Sequence, residues 1–302
     1  MNYLVVSCST YDMAGRAMIQ GAINGIAQFD KHAHFASLEP PQHHSDWIGW
    51  YCEPEKNAEA FQWADVILDI AGLHTNQTNK YYWLALRMKY KKPYIFMSQS
   101  FKSIDPVLFK ANHVKIVARG KRSAQRVRDA GFHCEIAPDL SFLINPVAFY
   151  KYKPEDVIGD GPSPGDSFHL LFPKRIFNTH IGKFWETMAS SCDAATDIQI
   201  VEKKPQGDKI WEPVLPIPQF FGTPEKEFGL VAQAEEIHVA RYQLAVAAIL
   251  AGKRPRIYKT GNPDYDEKYL DLMDYYGQTA VQLREAALIS CRLAWEAASA
   301  NA

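Results

Sequence analysis

The stretch EEIHVARYQLAVAAILAGKRPRIYK, residues 235–259, contains a full cycle of strand, turn, helix, turn and strand. A short apolar run precedes Arg241, and the LAVAAIL segment that follows is dense in residues that favour helices. Gly252 stands where a helix C-cap is expected, and Pro255 stops the helix from continuing. This alternation predicts an α/β fold.

The start of that helix is a predicted anion site. Ligands of α/β sheets bind where strands end and helices begin, because free backbone N–H groups and the helix dipole attract negative charge there. Arg241 stands at this position and adds a permanently charged, bidentate donor for phosphate or carboxylate. The alternative for Arg241 is a solvated surface residue or one half of a surface salt bridge.

The chain is long enough for two domains, because its 302 residues are 47% hydrophobic and exceed the usual single-domain size. The pattern of elements predicts a first lobe over 1–150, a Pro- and Gly-rich linker over 151–166 and a second lobe over 167–275. A helical tail over 276–302 is expected to cross back onto the first lobe. The formal net charge of −1 gives no general attraction to nucleic acid or to anionic membranes.

Neither a disulfide framework nor a metal site is predicted. The five cysteines are scattered without a C-x-x-C pair, and the histidines within 32–44 have no acidic partners at ligand spacing. The N-terminus has no basic segment before a long apolar core, and no run approaches eighteen apolar residues. We therefore expect a cytoplasmic protein without a membrane span or a permanently bound cofactor.

Two carboxylates follow predicted strands in the first lobe. Asp12 comes after the run YLVVSC (3–8), and Asp69 lies within the run VILDI (66–70). Active-site residues of open sheets lie at the carboxyl ends of strands, so both carboxylates are candidate bases for an acceptor hydroxyl. Asp12 is equally suited to cap the next helix. The first β–α unit lacks G-x-G-x-x-G and G-x-x-x-x-G-K-[ST], which argues against dinucleotide and P-loop sites.

Neutral polar residues follow the next two strands. His74 and Asn76 belong to the loop AGLHTNQTN (71–79), and Gln99 follows the strand predicted over 94–98. Such side chains can hydrogen-bond a hydroxyl-rich acceptor, although loops are polar in any case.

Basic residues stand at further junctions of strand and helix. Arg119 follows the strand VKIVAR (114–119), and Lys174 and Arg175 follow the strand in SFHLLFP (167–173). Guanidinium groups that converge on one cleft suit a phosphorylated donor. The helix at Lys121–Arg128 is strongly basic, which indicates either a solvated face or a contact with nucleic acid.

Four segments resemble one known family. They are DVILDIAGLHTN (65–76), KKPYIFMSQSFKSIDP (91–106), VARGKRSAQRVRDAGFHCEIAPDLSFLI (117–144) and IHVARYQLAVAAILAGKRP (237–255). The third places Arg119, Ser123, Pro138 and Asp139 on an Arg-x-x-x-Ser helix followed by Pro-Asp and an apolar tail. Together they are similar to the polysaccharide pyruvyl transferases, with divergence and gaps over most of the chain.

The resemblance implies a GT-B-like architecture of two Rossmann-like lobes that face a central cleft, with the donor on the second lobe. It implies phosphoenolpyruvate as donor and a saccharide as acceptor. One position departs from the family, because Gln243 stands where a histidine is expected to bind and protonate the donor. Glutamine hydrogen-bonds but exchanges no proton near neutral pH. His238, three residues before Arg241, is the candidate to replace the family histidine. The alternative is that His238 has only a structural role.

Three hypotheses follow. The first is a group transferase of the pyruvyl transferase type, with Asp12, Asp69 and Gln243 as catalytic residues. The second is a glycosyltransferase with a nucleotide-sugar donor, whose acceptor is a saccharide or a hydroxylated nucleic-acid base. The third is a binding protein with two lobes and no catalysis. In the first two, the donor-binding residues are Arg119, Lys174, Arg175, His238 and Arg241, and the acceptor-binding residues are His74, Asn76 and Gln99. The sequence does not indicate an oligomeric state.

Overall fold

The structure is a computed structural model. It describes residues 1–7, 13–38, 57–71, 73–74, 83–111, 113–146, 158–160, 169–172, 200–201, 224–232, 236–239, 242–258 and 263–300. These residues belong to two compact units. The first comprises residues 1–143, 270–275 and 281–302, and the second comprises 144–269 and 276–280.

Parallel strands form the sheet of the first unit. The strands run in the order β2, β1, β3, β5, β6, β7, and every neighbouring pair is parallel. The short strand β4 also pairs in parallel with β5. The bounds of the seven strands are β1 Asn2–Val6, β2 His34–Leu38, β3 Val66–Asp69, β4 Leu73–His74, β5 Tyr94–Phe101, β6 Val114–Ala118 and β7 Glu135–Ile136.

The central strands are buried as parallel sheets require. All four residues of β3 and all eight of β5 are buried, as are the last four residues of β1. Helices that cover both faces of a sheet leave little room for an alternating pattern, so such strands are continuous apolar runs. The runs that predicted strands over 3–8, 66–70 and 94–98 are confirmed as strands, and the α/β class is confirmed.

Helices alternate with these strands along the chain. The described helices are α1 Met13–Ile26, α2 Ala58–Trp63, α3 Leu84–Tyr90, α4 Pro106–Phe109, α5 Lys121–Asp129, α6 Pro224–Val231, α7 Tyr242–Leu250, α8 Pro263–Leu272 and α9 Ala280–Ser299. Two 3-10 helices cover Leu140–Leu143 and Met273–Tyr275.

The C-terminal helix α9 packs within the first unit. Trp295 stacks on Phe29 with ring centroids 5.9 Å apart. The hydroxyl of Ser290 lies 2.7 Å from the hydroxyl of Ser98, and both residues are buried. The last helix in the sequence therefore holds a central strand of the first sheet.

The second unit has a mixed sheet. Its strands are β8 Ile158–Asp160, β9 His169–Phe172, β10 Ile200–Val201, β11 Glu236–Val239 and β12 Arg256–Tyr258, in the order β10, β12, β11, β9, β8. The pairs β10 with β12 and β11 with β12 are parallel, whereas β9 is antiparallel to both β11 and β8. The antiparallel pairs differ from the all-parallel sheet that a Rossmann-like lobe has, and β8 lies in the segment predicted as linker.

The stretch over 235–259 has its predicted elements in the second unit. Strand β11, helix α7 and the parallel strand β12 follow one another, and Gly252 after α7 has a φ of 71°. All nine residues of α7 are buried, including Gln243 at 4% exposure. The prediction that two lobes face a cleft stays a prediction.

Candidate active site at the carboxyl edge of the first sheet

The strand order of the first sheet reverses between β1 and β3. The chain passes from β1 outward to β2 and then returns to β3 on the other side of β1. At such a reversal the connections on either side leave a crevice at the carboxyl ends of the strands, where ligands of open α/β sheets bind. Ser7 directly follows β1, and Asp69 is the last residue of β3. The topology therefore places Asp69 at the predicted binding position.

Neutral donors hold the Asp69 carboxylate. Its Oδ2 accepts a hydrogen bond from the Tyr94 hydroxyl at 2.6 Å. Its Oδ1 accepts one from Gln99 Nε2 at 2.9 Å and one from the backbone N–H of Ala71 at 3.3 Å. Asp69 is 4% exposed. A carboxylate has about four acceptor positions, and donors from the described residues occupy three of them.

Gln99 is the second candidate at this edge. Its Nε2 donates to the Asp69 backbone carbonyl at 2.7 Å as well as to the carboxylate. Its Oε1 is buried and has no hydrogen-bond partner within the described parts of the chain. A buried amide oxygen without a donor is unfavourable by about 1–3 kcal/mol, which is typical of a group that a ligand satisfies.

The backbone is strained at two points of this edge. Ser7 has a φ of 67° and Ser98 has a φ of 46°, and both lie in the left-handed region that residues with a Cβ rarely adopt. The pairing between β5 and β6 shifts register between Phe96 and Gln99, around Ser98. Such strain of about 1–3 kcal/mol at each residue concentrates at functional sites. At Ser98 it interrupts the extended course of β5 just before Gln99.

Arg87 is a buried cation next to this cluster. Its guanidinium carbon lies 4.1 Å from the centre of the Tyr94 ring, and Nη2 donates to the Leu108 carbonyl at 2.6 Å. Arg87 is 3% exposed and has no carboxylate within ion-pair distance among the described residues. Burial lowers the pKa of Arg87, and the negative charge of Asp69 opposes this effect. A desolvated cation over an aromatic ring is stabilised by about 2 kcal/mol.

Tyr94 links the cation to the carboxylate. Burial raises the pKa of Tyr94 well above its ordinary value, the charge of Asp69 raises it further, and the charge of Arg87 opposes both. The Ser7 hydroxyl, as a donor, also opposes the rise in the pKa of Tyr94, and it accepts a hydrogen bond from Trp83 Nε1 at 3.0 Å. We call Asp69, Tyr94, Gln99, Arg87 and Ser7 the switch-point cluster.

A second polar cluster lies at the carboxyl end of β6. Arg119 Nη2 lies 2.7 Å from Asp139 Oδ2, and both side chains are 0% exposed. Arg119 Nε donates to the Ser98 carbonyl at 3.0 Å, and the Tyr275 hydroxyl donates to the Arg119 carbonyl at 2.5 Å. We call Arg119, Asp139 and Tyr275 the Arg119 cluster. Its guanidinium joins three parts of the chain inside the protein.

Two carboxylates lie at the N-terminus of α5 beside the Arg119 cluster. Asp271 accepts hydrogen bonds from the Ser123 hydroxyl at 2.5 Å and the Ser123 N–H at 3.2 Å, and Asp274 accepts one from the Lys121 N–H at 2.5 Å. Gly120 precedes the helix, and a Cβ there would lie 2.6 Å from Asp271 Oδ1. Burial raises the pKa of Asp271, while its hydrogen bonds to Ser123 oppose the shift. These carboxylates occupy the anion-binding position of this helix.

The comparison with known families identifies the group to which the protein belongs. A model of the polysaccharide pyruvyl transferases matches residues 23–209, more than half of the chain. The chain belongs to the polysaccharide pyruvyl transferase family. The suspected resemblance is thereby confirmed. No curated protein matches the chain significantly.

The segment that matches the polysaccharide pyruvyl transferases contains both polar clusters except Ser7 and Tyr275, and it does not contain every predicted site residue. Asp69, Gln99 and Arg119 lie inside it, whereas Gln243 lies beyond its end at residue 209. The match therefore does not test the departure from the family histidine. Gln243 is buried in α7 of the second unit, where it is the second residue of the helix.

Several predicted site residues lie outside the described parts of the structure. The backbones of His74 in β4 and His238 in β11 are described, but their side chains are not. Their roles in a pyruvyl transferase stay predictions. The residues outside the description altogether are Asp12, Asn76, Lys174, Arg175 and Arg241.

The basic helix α5 is partly used inside the protein. Arg126 Nη1 donates to the Phe101 carbonyl at 2.8 Å, and Arg128 Nη2 donates to the Cys134 carbonyl at 3.2 Å. Lys121 and Arg122 are exposed. A role of this helix in nucleic-acid binding stays a prediction.

Sequence reasoning missed Tyr94 and Arg87. Tyr94 opens a strand that the sequence predicts, but its hydroxyl contact depends on how β5 pairs with β3. Arg87 does carry a sequence signal, because it and Lys89 are the two charged residues of the largely apolar segment YYWLALRMKY. A charged residue at a buried helix position needs a specific partner inside the protein.

None of the described helices combines the length and apolar character that crossing a membrane requires. Across the same parts of the chain, no three His, Cys, Asp or Glu side chains come together as a metal site.

Proposed function

We propose that the protein transfers a pyruvyl group from phosphoenolpyruvate to a saccharide that carries two neighbouring hydroxyl groups. Membership of the polysaccharide pyruvyl transferase family supports a transferase that acts on carbohydrates. The observation that supports the acceptor site is the contact between Asp69 and Gln99, in which the Gln99 carbonyl oxygen has no donor among the described residues. A carboxylate beside an open amide acceptor suits two hydroxyl groups, each of which has a proton to donate.

The roles in this reaction follow from the chemistry of an enol phosphate. One acceptor hydroxyl donates to Asp69, which takes its proton while the hydroxyl oxygen forms a bond to C2 of phosphoenolpyruvate. The second hydroxyl donates to Gln99 Oε1 and then closes the ketal at the same carbon. The C2–O bond to phosphate breaks. Of the two hydroxyl protons, one ends on the former methylene carbon and the other on phosphate, so the atoms balance.

The donor is proposed to bind to basic residues. Arg175 and Arg241 were predicted from their position between strand and helix, and fixed guanidinium groups stabilise a phosphate leaving group. Gln243 can hydrogen-bond the donor carboxylate but cannot protonate the methylene carbon. This proton must therefore come from another group in the chain or from the acceptor.

The donor is tested by thermal shift and by product release. We expect phosphoenolpyruvate to raise the melting temperature more than uridine diphosphate does, because binding to the folded state alone stabilises it. With phosphoenolpyruvate and a panel of p-nitrophenyl glycosides, we expect phosphate release that depends on the glycoside. A larger shift with uridine diphosphate would favour the glycosyltransferase hypothesis. Absence of glycoside-dependent phosphate release would overturn the proposal.

The acceptor site is tested by Gln99→Met, which keeps the side-chain length and removes both Oε1 and the Nε2 donor to Asp69. We expect the KM for the active glycoside to rise about threefold to tenfold, as the loss of one neutral hydrogen bond predicts. The KM for phosphoenolpyruvate should change by less than about twofold, since Gln99 is placed on the acceptor. An unchanged KM for the glycoside contradicts the acceptor role.

A further inference from the structure

Asp69 receives its strongest hydrogen bond from a residue that no functional prediction included. The Tyr94 hydroxyl lies 2.6 Å from Asp69 Oδ2, closer than Gln99 Nε2 or the Ala71 N–H lies to Oδ1. Short O–H···O bonds to a carboxylate are about twice as strong as bonds between neutral groups. Tyr94 therefore determines where one of the two carboxylate oxygens lies.

The direction of this hydrogen bond is fixed by a chain of donors. The indole N–H of Trp83 can only donate, and it donates to the Ser7 hydroxyl at 3.0 Å. Ser7 therefore keeps its own proton as a donor, and in this role it opposes the rise in the pKa of Tyr94 that burial causes. Because an ionised carboxylate only accepts, the Tyr94 hydroxyl donates its proton to Asp69. Hydrogen bonds that follow one another polarise each other and strengthen the last bond.

Arg87 acts on the same hydrogen bond from the face of the Tyr94 ring. Its charge lies 4.1 Å from the Tyr94 ring centre and is buried without a carboxylate partner among the described residues. A cation over the ring withdraws electron density from the phenol and makes its hydroxyl a better donor. Within those residues, Arg87 is the charged group that faces Tyr94 and Asp69 from α3. His113 lies near Arg87, and burial and then this charge lower the pKa of His113.

We propose that Tyr94 is a positioning residue of the pyruvyl transfer, which holds Asp69 through a donor chain from Trp83 and Ser7 and under the charge of Arg87. The inference rests on the proposed role of Asp69 as base. These hydrogen bonds fix the position of Asp69 Oδ2. The oxygen can then accept a hydrogen bond from the sugar hydroxyl in one orientation. Tyr94 itself keeps its proton throughout the reaction.

The kinetic test uses Tyr94→Phe, which keeps the ring over which Arg87 stacks and removes only the hydroxyl. We expect kcat to fall about tenfold to hundredfold, as the loss of a hydrogen bond to a charged group predicts, with the KM for phosphoenolpyruvate within about twofold.

Ser7→Ala should reduce kcat less, because Tyr94 still contacts Asp69. Arg87→Met should reduce kcat, and Arg87→Lys should restore part of the loss. The matched control is Tyr90→Phe, whose hydroxyl contacts Gln62 rather than Asp69.

The effect on kcat separates positioning from packing. Phenylalanine fills the same space as tyrosine, so a Tyr94 side chain that only packs would give a Tyr94→Phe variant with the kcat of the wild type. An unchanged kcat in Tyr94→Phe overturns the inference even though the proposed function stands.

An NMR measurement tests the hydrogen bonds of Tyr94 without turnover, so it stays informative if the protein is not a pyruvyl transferase. In protein labelled with ¹³Cζ tyrosine, the Tyr94 resonance is assigned by its loss in Tyr94→Phe. We expect this resonance to move in Asp69→Asn, in Ser7→Ala and in Arg87→Met, and to stay in place in Tyr90→Phe. A wild-type protein that releases no phosphate overturns the proposed function alone. A Tyr94 resonance that is insensitive to Asp69→Asn and Ser7→Ala overturns the donor chain.

Discussion

The switch-point cluster and the Arg119 cluster lie at the same edge of one parallel sheet, yet they balance charge in opposite ways. Arg119 meets the carboxylate of Asp139 directly at 2.7 Å, and both side chains are fully buried. Asp69 instead meets the neutral hydroxyl of Tyr94, and the cation Arg87 lies over the face of the tyrosine ring. Opposite charges that touch neutralise each other, whereas a carboxylate held by neutral donors has no opposite charge in contact with it.

This difference in charge balance distinguishes the structural pair Arg119–Asp139 from Asp69, the proposed reactive group, although Arg119 and Asp69 have similar positions relative to their strands. Both Asp69 and Arg119 end strands at positions where open sheets bind ligands, so position alone makes them equal candidates. The donor-binding role of Arg119 stays a prediction, since its guanidinium is already bonded to Asp139 and to the Ser98 carbonyl. Among the described residues, Asp69 accepts hydrogen bonds from neutral donors, and its neighbour Gln99 has an oxygen without a hydrogen-bond partner.

The largest expected effect on stability comes from breaking the Arg119 cluster. Asp139→Asn leaves the Arg119 charge buried without its partner, which should lower the free energy of unfolding by about 3–5 kcal/mol. Urea unfolding followed by tryptophan fluorescence measures this loss. The double variant Arg119→Met with Asp139→Leu should recover much of it, because an apolar pair leaves no uncompensated charge. If Asp139→Asn is as stable as the wild type, the pair does not have the structural role described here.

A smaller effect is expected at alkaline pH. Burial raises the pKa of Tyr94 in the switch-point cluster and of Tyr275 in the Arg119 cluster above the ordinary value of 10.0. Above about pH 10 the unfolded chain loses protons that the folded chain retains, so stability falls as pH rises. Tyr94→Phe should make this fall shallower by about 1.4 kcal/mol for each pH unit, and Tyr275→Phe should do the same.

Urea unfolding between pH 9 and pH 11 checks this slope for the wild type and both tyrosine variants. Measuring kcat of the same two variants separates the clusters by function as well as by stability. Both variants should flatten the alkaline slope, but we expect only Tyr94→Phe to reduce kcat strongly. Equal losses of kcat in the two variants would remove the functional distinction between the clusters.

The sequence predicted the parts of the fold that depend on local pattern. Apolar runs gave the strands β1, β3 and β5, and the Gly252 C-cap after α7 follows from the left-handed conformation that glycine adopts readily. Asp69 and Gln99 were both singled out at strand ends, and the structure joins them by a hydrogen bond of 2.9 Å. Periodicity and turn chemistry are local properties, so they are visible in one sequence.

The parts that were missed depend on contacts between distant residues. No glycine marks the left-handed conformation at Ser98, which is held by the Arg119 side chain and by Ser290. The caps of α5 come from Asp271 and Asp274, about 150 residues further along the chain. The antiparallel strands of the second sheet likewise depend on pairing that an apolar run does not specify. Tertiary contacts therefore decide which polar residues become structural.

The most direct test of this account is the turnover of Asp69→Asn against Asp65→Asn, the same substitution at the two ends of one buried strand. Asp65 accepts a hydrogen bond from the Asn2 N–H at 2.8 Å and has no contact with the switch-point cluster among the described contacts. In phosphate release from phosphoenolpyruvate with an active glycoside, we expect Asp69→Asn to lose about a hundredfold or more in kcat, as removal of a general base predicts. Asp65→Asn should keep kcat within about twofold, with folding of both variants checked by circular dichroism. Full turnover by a folded Asp69→Asn variant would contradict the central claim that the Asp69 carboxylate is the base.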